Sequence, residues 1–335
     1  AMALATPYLM FVGDAPDQLA AKVAIGVVHW RPDWCKGQLR LAGCKADLGI
    51  PDMTIADALK AGCKTMVIGV ANRGGVIPDH WTGVIVEAIE AGMDVAAGLH
   101  RRLRDVPAIA EAAARHGRLL TDARHPSRDF DVASGQARDG RRLLTVGTDV
   151  SVGKMFTSLA IEREMKARGM KADFRATGQT GIFIAGDGAS VDAVVADFIA
   201  GAAEWLTPAN DPNHWDVVEG QGSLFHASYS GVTLGLVHGA RPHALVLCHD
   251  AARLEMRGTP GVPVPSLEDC IDVNERMARM FEPDAKVVGV SVNTSSMDAA
   301  RATAYLAEIS ERLNLPAVDA VRTGVGPVVD AIEKL

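Results

Sequence analysis

Leu143-Leu144-Thr145-Val146-Gly147-Thr148-Asp149-Val150-Ser151-Val152-Gly153-Lys154 is the stretch on which the fold turns. An apolar run suited to a strand enters a turn bounded by two glycines, and a helical pattern over residues 151–168 follows. That order has a mechanism. Glycines let the backbone curl until successive N–H groups point inward, the helix start adds positive potential, and Lys154 supplies a full charge to bridging phosphates. Gly147, Thr148, Asp149, Val150, Ser151, Val152, Gly153, Lys154 and Met155 are therefore expected to hold the diphosphate of a nucleotide-bearing small molecule. The rival reading is a tight strand–helix turn with no ligand.

Outward from this loop the same alternation runs in both directions. Before it, apolar runs at 8–12, 65–70, 94–98 and 118–121 predict strands, with helices at 17–28 and 81–92. After it, strands are expected at 172–176, 216–219, 244–248, 286–292 and 318–320, and helices at 190–205, 266–281 and 297–313. Strands that alternate with helices specify parallel α/β sheets. A chain of 335 residues is too long for one ordinary core. The aperiodic, glycine- and charge-containing stretch 125–142 is taken as the connection, giving an N-terminal Rossmann-like domain over 1–130 and a P-loop α/β domain over 131–335.

Composition narrows the function. Apolar residues make up 48% and charged ones 22%, as in ordinary globular chains, and the net charge of −7 argues against a nucleic-acid surface. No apolar run reaches the roughly 18–20 residues of a membrane span, and no secretory leader is evident, so a cytoplasmic location is expected. The five cysteines lack metal-ligand spacing and are expected to be reduced and mostly buried.

The residue after Lys154 changes the chemistry. Where a Ser or Thr hydroxyl would meet Mg²⁺ stands Met155, whose thioether has little affinity for a hard cation. A diphosphate cradle needs only amides and the lysine, whereas phosphoryl transfer needs the metal. A ligand whose diphosphate stays intact, with no metal required, fits this split.

Other groups fall where strands end, and in open α/β sheets those ends share a crevice. Glu219, in Glu219-Gly220-Gln221-Gly222-Ser223, is a candidate base for an amine, with His226 and Asp250 as alternatives. Thr177, Gln179, Thr180 and Gln221 offer amides and hydroxyls to a carboxylate. Arg73, Arg175 and Arg257 offer guanidinium groups. Asn293 lies where a base-reading residue would sit. His249 is read as either a site residue or a turn cap, and Cys248 as inert packing.

The loop resembles the GTDxxVGKT variant of dethiobiotin synthetase and its relatives, and residues 177–181 and 219–223 resemble that superfamily's substrate turn and its EGxGG segment. Taken with Met155 and the Rossmann-like front half, nearly the whole chain resembles a family long labelled as of unknown function that includes the DgcN-type D-glutamate N-acetyltransferases. The resemblance implies acetyl transfer from acetyl-CoA to the amine of D-glutamate, a reaction that requires no covalent enzyme intermediate. The expected partners are small molecules, acetyl-CoA and an acidic D-amino acid, bound by a homo-oligomer. Two alternatives stand beside it: an ATP- and Mg²⁺-dependent ligase or kinase similar to dethiobiotin synthetase, and a non-catalytic sensor of nucleotide or acetyl-CoA.

Overall fold

The computed structural model describes residues 4–72, 74–126 and 128–335, which form two compact units. In chain order the first carries β1 (Tyr8–Gly13), α1 (Lys22–Trp30), β2 (Cys35–Arg40), α2 (Ile55–Lys60), β3 (Thr65–Ile68), α3 (Asp79–Glu90), β4 (Asp94–Ala97), α4 (Pro107–His116) and β5 (Leu120–Asp122). All five strands pair in parallel, in the order β2-β1-β3-β4-β5. Residues 8–12 and 66–68 are almost wholly buried, as expected of strands covered on both faces.

The chain continues through β6 (Arg141–Gly147), α5 (Lys154–Ala167) and β7 (Ala172–Arg175). It then makes an excursion. Residues Gly178–Ala193, including α6 (Gln179–Ala185), belong to the first unit. There Phe183 and Ile184 are fully buried, Tyr8 donates its hydroxyl to the Phe183 carbonyl (3.3 Å), and Arg31 Nε donates to that of Ile184 (3.1 Å). Back in the second unit follow α7 (Ile199–Leu206), β8 (Trp215–Val218), α8 (Ser230–Ala240), β9 (Ala244–Asp250), α9 (Leu267–Arg279), β10 (Lys286–Asn293), α10 (Ala299–Leu313), β11 (Ala317–Val318) and α11 (Gly326–Ile332).

The second sheet is also parallel, in the order β11-β10-β9-β6-β8-β7. Its chain runs from β6 toward β7 and later from β9 toward β11. The order thus reverses beside β6, and right-handed crossovers put the helices on opposite faces there. Such a switch point opens a crevice at the carboxyl ends of the strands. The loop after β6 lies in it.

The expected helix over 190–205 is broken. Residues Val191–Ala193 and Ala196–Phe198 are single 3₁₀ turns, and only α7 is α-helical. The reason is that the apolar residues serve two cores: Val191 is buried in the first unit, and Ile199, Ala202, Ala203 and Leu206 in the second. The stretch taken as a connection is also packed from Phe130 onward. Ser134 donates to Glu204 from its N–H (2.9 Å) and its hydroxyl (2.6 Å).

Candidate active site

β6 ends at Gly147, whose Cα pairs with Cys248 of β9, and α5 begins at Lys154. A Cβ at Gly147 would lie 2.8 Å from the Asp149 carbonyl and 2.9 Å from the Lys154 ammonium, so only glycine fits. Ser151 (φ 54°) and Gly153 (φ 96°) are left-handed on either side of Val152. Alternating hands turn successive N–H groups to one side, the geometry of an anion nest. The N–H groups of residues 151–155 have no hydrogen-bond partner among the described residues. Five consecutive donors at a helix start fit a phosphate.

Lys154 is 6% exposed, and its ammonium donates to the Asp149 carbonyl at 2.8 Å. Burial brings its pKa down to about 8, against the opposing pull of Cys248, Asp149 and Glu219. Met155 is half-buried beside it. Thr157 is turned away, its hydroxyl 2.8 Å from that of Ser291.

Asp149 has a wholly buried carboxylate that anchors a second segment. It accepts from Val150 N–H (2.7 Å), from Arg253 Nη1 (2.6 Å) and from Arg257 N–H (2.8 Å). Burial pushes this carboxyl up, but the N–H groups of Arg257 and Val150 and the Arg253 guanidinium outweigh it and hold the group below its usual range. Residues 254–264 form a tight hairpin closed by Met256 N–H to Val262 O and Val264 N–H to Leu254 O. Arg257 is pinned at both backbone atoms, since its carbonyl accepts from His226 Nε2 at 2.9 Å. Its guanidinium is exposed and has no partner among the described residues.

The loop after β8 closes the other side. Gly220 donates to the Thr145 hydroxyl at 2.9 Å, and a Cβ there would sit 1.6 Å from the Thr145 carbonyl. Glu219 is 5% exposed and accepts at Oε2 from Thr177 N–H (3.0 Å), while its carbonyl accepts the Thr177 hydroxyl (2.7 Å). Gln221 Nε2 donates to that same hydroxyl at 3.1 Å, and Ser223 ties the loop to the Thr148 carbonyl at 3.2 Å. The structure thus brings together the 147–155 loop, Thr177, Glu219, Gln221 and Arg257.

Several expected residues are placed otherwise. Arg175 donates from Nε to Asp216 at 2.7 Å, two residues back from the end of β8, and so points away from the crevice. His226 has both ring nitrogens committed, Nε2 to Arg257 O and Nδ1 accepting from Ser228 N–H (3.1 Å), which leaves no lone pair for a base. Asp250 caps its own turn by accepting from Ala252 N–H at 3.0 Å, and the exposed Asn293 does so from Ser295 N–H at 3.1 Å. Gln179 and Thr180 lie on α6 in the first unit. There the Gln179 amide, in the orientation that satisfies both ends, bonds the Gly98 carbonyl and Arg124, and the Thr180 methyl faces Gly26. Arg73 lies outside the described residues. Arg253, which by its place just after the end of β9 could face the site, instead holds the Asp149 carboxylate; the signal for that task was an aspartate inside a phosphate loop, which needs a cation once buried.

Comparison with known proteins agrees with this architecture. The family models described as the DUF1611 Rossmann-like N-terminal domain and the DUF1611 P-loop C-terminal domain match residues 39–126 and 131–329. A curated protein of Tritonibacter scottomollicae named D-glutamate N-acetyltransferase is 57% identical, covering 98% of each chain. One of the same name from a Pseudoalteromonas species is 46% identical over 98% of this chain and 99% of its own. A crystal structure of a DUF1611 family protein from Anabaena variabilis superposes with a TM-score of 0.84 at 32% identity, over 99% of this chain and all of the other. The chain is a member of the DUF1611 family.

Proposed function

We propose that this protein is a D-glutamate N-acetyltransferase that holds the diphosphate of acetyl-CoA in the 147–155 loop. The observation that carries the reading is the row of five N–H groups without a partner among the described residues, beside a buried lysine, in a loop where Met155 stands in place of the metal-binding hydroxyl. The relatives' shared name supports the reaction.

The loop amides and Lys154 bind and orient the cofactor; acetyl-CoA, when bound, supplies the activated acyl group. Arg257 receives the side-chain carboxylate of the amino acid, because its backbone is fixed at both ends while its guanidinium stays open. Gln221, whose Nε2 is held by the Thr177 hydroxyl and keeps a second N–H, meets the other carboxylate. Glu219 takes protons from the amine, which must shed one to expose its lone pair and a second as the amide forms. Of these two protons one is returned to the departing sulfur and one goes to solvent.

The test is thiol release from acetyl-CoA with D- or L-glutamate in EDTA. The reading predicts thiol and N-acetylglutamate in equal amounts, with D-glutamate preferred. ADP formation from ATP that needs Mg²⁺, without thiol release, would establish a ligase or kinase instead.

A further inference from the structure

The carboxyl end of β9 carries a histidine that the reaction above does not use. His249 follows Cys248, the partner of Gly147 across the sheet, so its ring stands beside the first residue of the phosphate loop. Nδ1 lies 3.1 Å from the Thr148 hydroxyl. The ring is 9% exposed and Thr148 is fully buried. Nε2 has no partner among the described residues.

These contacts fix the position of a proton. The Thr148 hydroxyl has a single partner among the described residues, the ring nitrogen, and a buried O–H left unmatched costs about 1–3 kcal/mol. Thr148 therefore donates, Nδ1 accepts, and the ring hydrogen resides on Nε2. Burial lowers the pKa of His249; Asp250 opposes that, and Arg253 and Arg312 reinforce it. The ring is neutral at pH 7, with an N–H directed away from Thr148.

We propose that His249 is a catalytic hydrogen-bond donor whose Nε2–H, held in that tautomer by Thr148, receives the acyl carbonyl oxygen as the amine attacks. This rests on the acetyl-transfer reading. The amine lone pair forms the C–N bond and the carbonyl π pair moves onto oxygen, where Nε2–H stabilises the developing charge. The pair then returns, the C–S bond breaks with its electrons on sulfur, the proton on nitrogen passes to Glu219, and sulfur gains a proton. His249 keeps its own proton throughout.

Two conservative variants separate this role from a structural one. In His249→Gln the side-chain amide reaches the place of Nε2, whereas in His249→Asn it overlays Nδ1 and still bonds Thr148. Both retain a polar side chain, and circular dichroism checks that each folds. The expected result is that His249→Asn loses about 10²–10³ in kcat with KM for acetyl-CoA changed less than about twofold, while His249→Gln stays at least about tenfold faster than His249→Asn. Thr148→Val is expected to slow the unaltered enzyme but to add nothing in the His249→Asn background. Faster turnover by the Asn variant, or full kcat in both, overturns the assignment while acetyl transfer stands. Absence of thiol release from the unaltered enzyme overturns both.

Discussion

Lys154 is kept at the edge of its charged range by the site it serves. Its pKa is down to about 8, and a bound diphosphate stabilises the protonated form, so binding takes up a proton wherever the free enzyme has lost one. The affinity for acetyl-CoA is therefore expected to be flat below pH 8. Above it, Kd should rise about tenfold per pH unit until near pH 10. Calorimetric titration across pH 7–10 measures this, and Lys154→Met should bind more weakly with the slope abolished. Gly220→Ala makes a steric test, because its new methyl would collide with the Thr145 carbonyl; a loss of about 3 kcal/mol in urea unfolding is expected. At this scale legibility followed contiguity. The loop was readable because its glycines, lysine and missing hydroxyl are neighbours in the chain. Arg175 and His226 were misread because their partners, Asp216 and Arg257, come from other segments.

At the scale of elements, the amino ends of the second sheet are built around arginines that close helices. Arg138 donates to the carbonyls of Thr207 (2.6 Å) and Gly239 (2.7 Å), at the ends of α7 and α8, and the buried Arg142 donates to those of Arg241 and Gly140. This satisfies carbonyls that helix ends leave orphaned. It also sets His243, whose Nδ1 accepts from Arg142 N–H at 3.2 Å, in a cationic field; burial and then Arg142, Arg141, Arg241 and Arg138 push its pKa down to about 4. The unfolded chain takes up the proton first as pH falls, so stability is full above about 6.5 and is lost between there and 4. Urea unfolding at pH 7 and 5 is expected to differ by about 2 kcal/mol from this group alone, a difference that His243→Gln should remove. The elements with strong apolar periods, such as α3, α9 and α10, were legible. By contrast β2, with Lys36, Gly37 and Gln38 in its middle, carries no alternation. Its Gln38 is buried because the side chain bonds the Leu48 N–H and the Ile50 carbonyl, a reason invisible in the local sequence.

In the molecule as a whole, the first unit is assembled from two separate pieces of chain. Phe183, Ile184 and Val191 are fully buried within it, although they come after β7 of the second sheet. Burial of three such side chains contributes on the order of 6 kcal/mol, comparable to the whole stability of a small domain. Residues 1–129 alone are expected to lack a cooperative thermal transition, and joining 178–193 to them through a short glycine-rich linker should restore one. Differential scanning calorimetry of the two polypeptides decides this. The division into two parallel α/β bodies was readable from alternation and length. The excursion was not, since nothing in residues 178–193 names the core they fill. The same arrangement sets a timetable during synthesis. The amino-terminal strands leave the ribosome first but wait for about fifty further residues, roughly 3–10 s at about 5–20 residues per second, before their last helix arrives. A pause in translation within that window leaves the seat of Phe183 bare, open to chaperones and proteases.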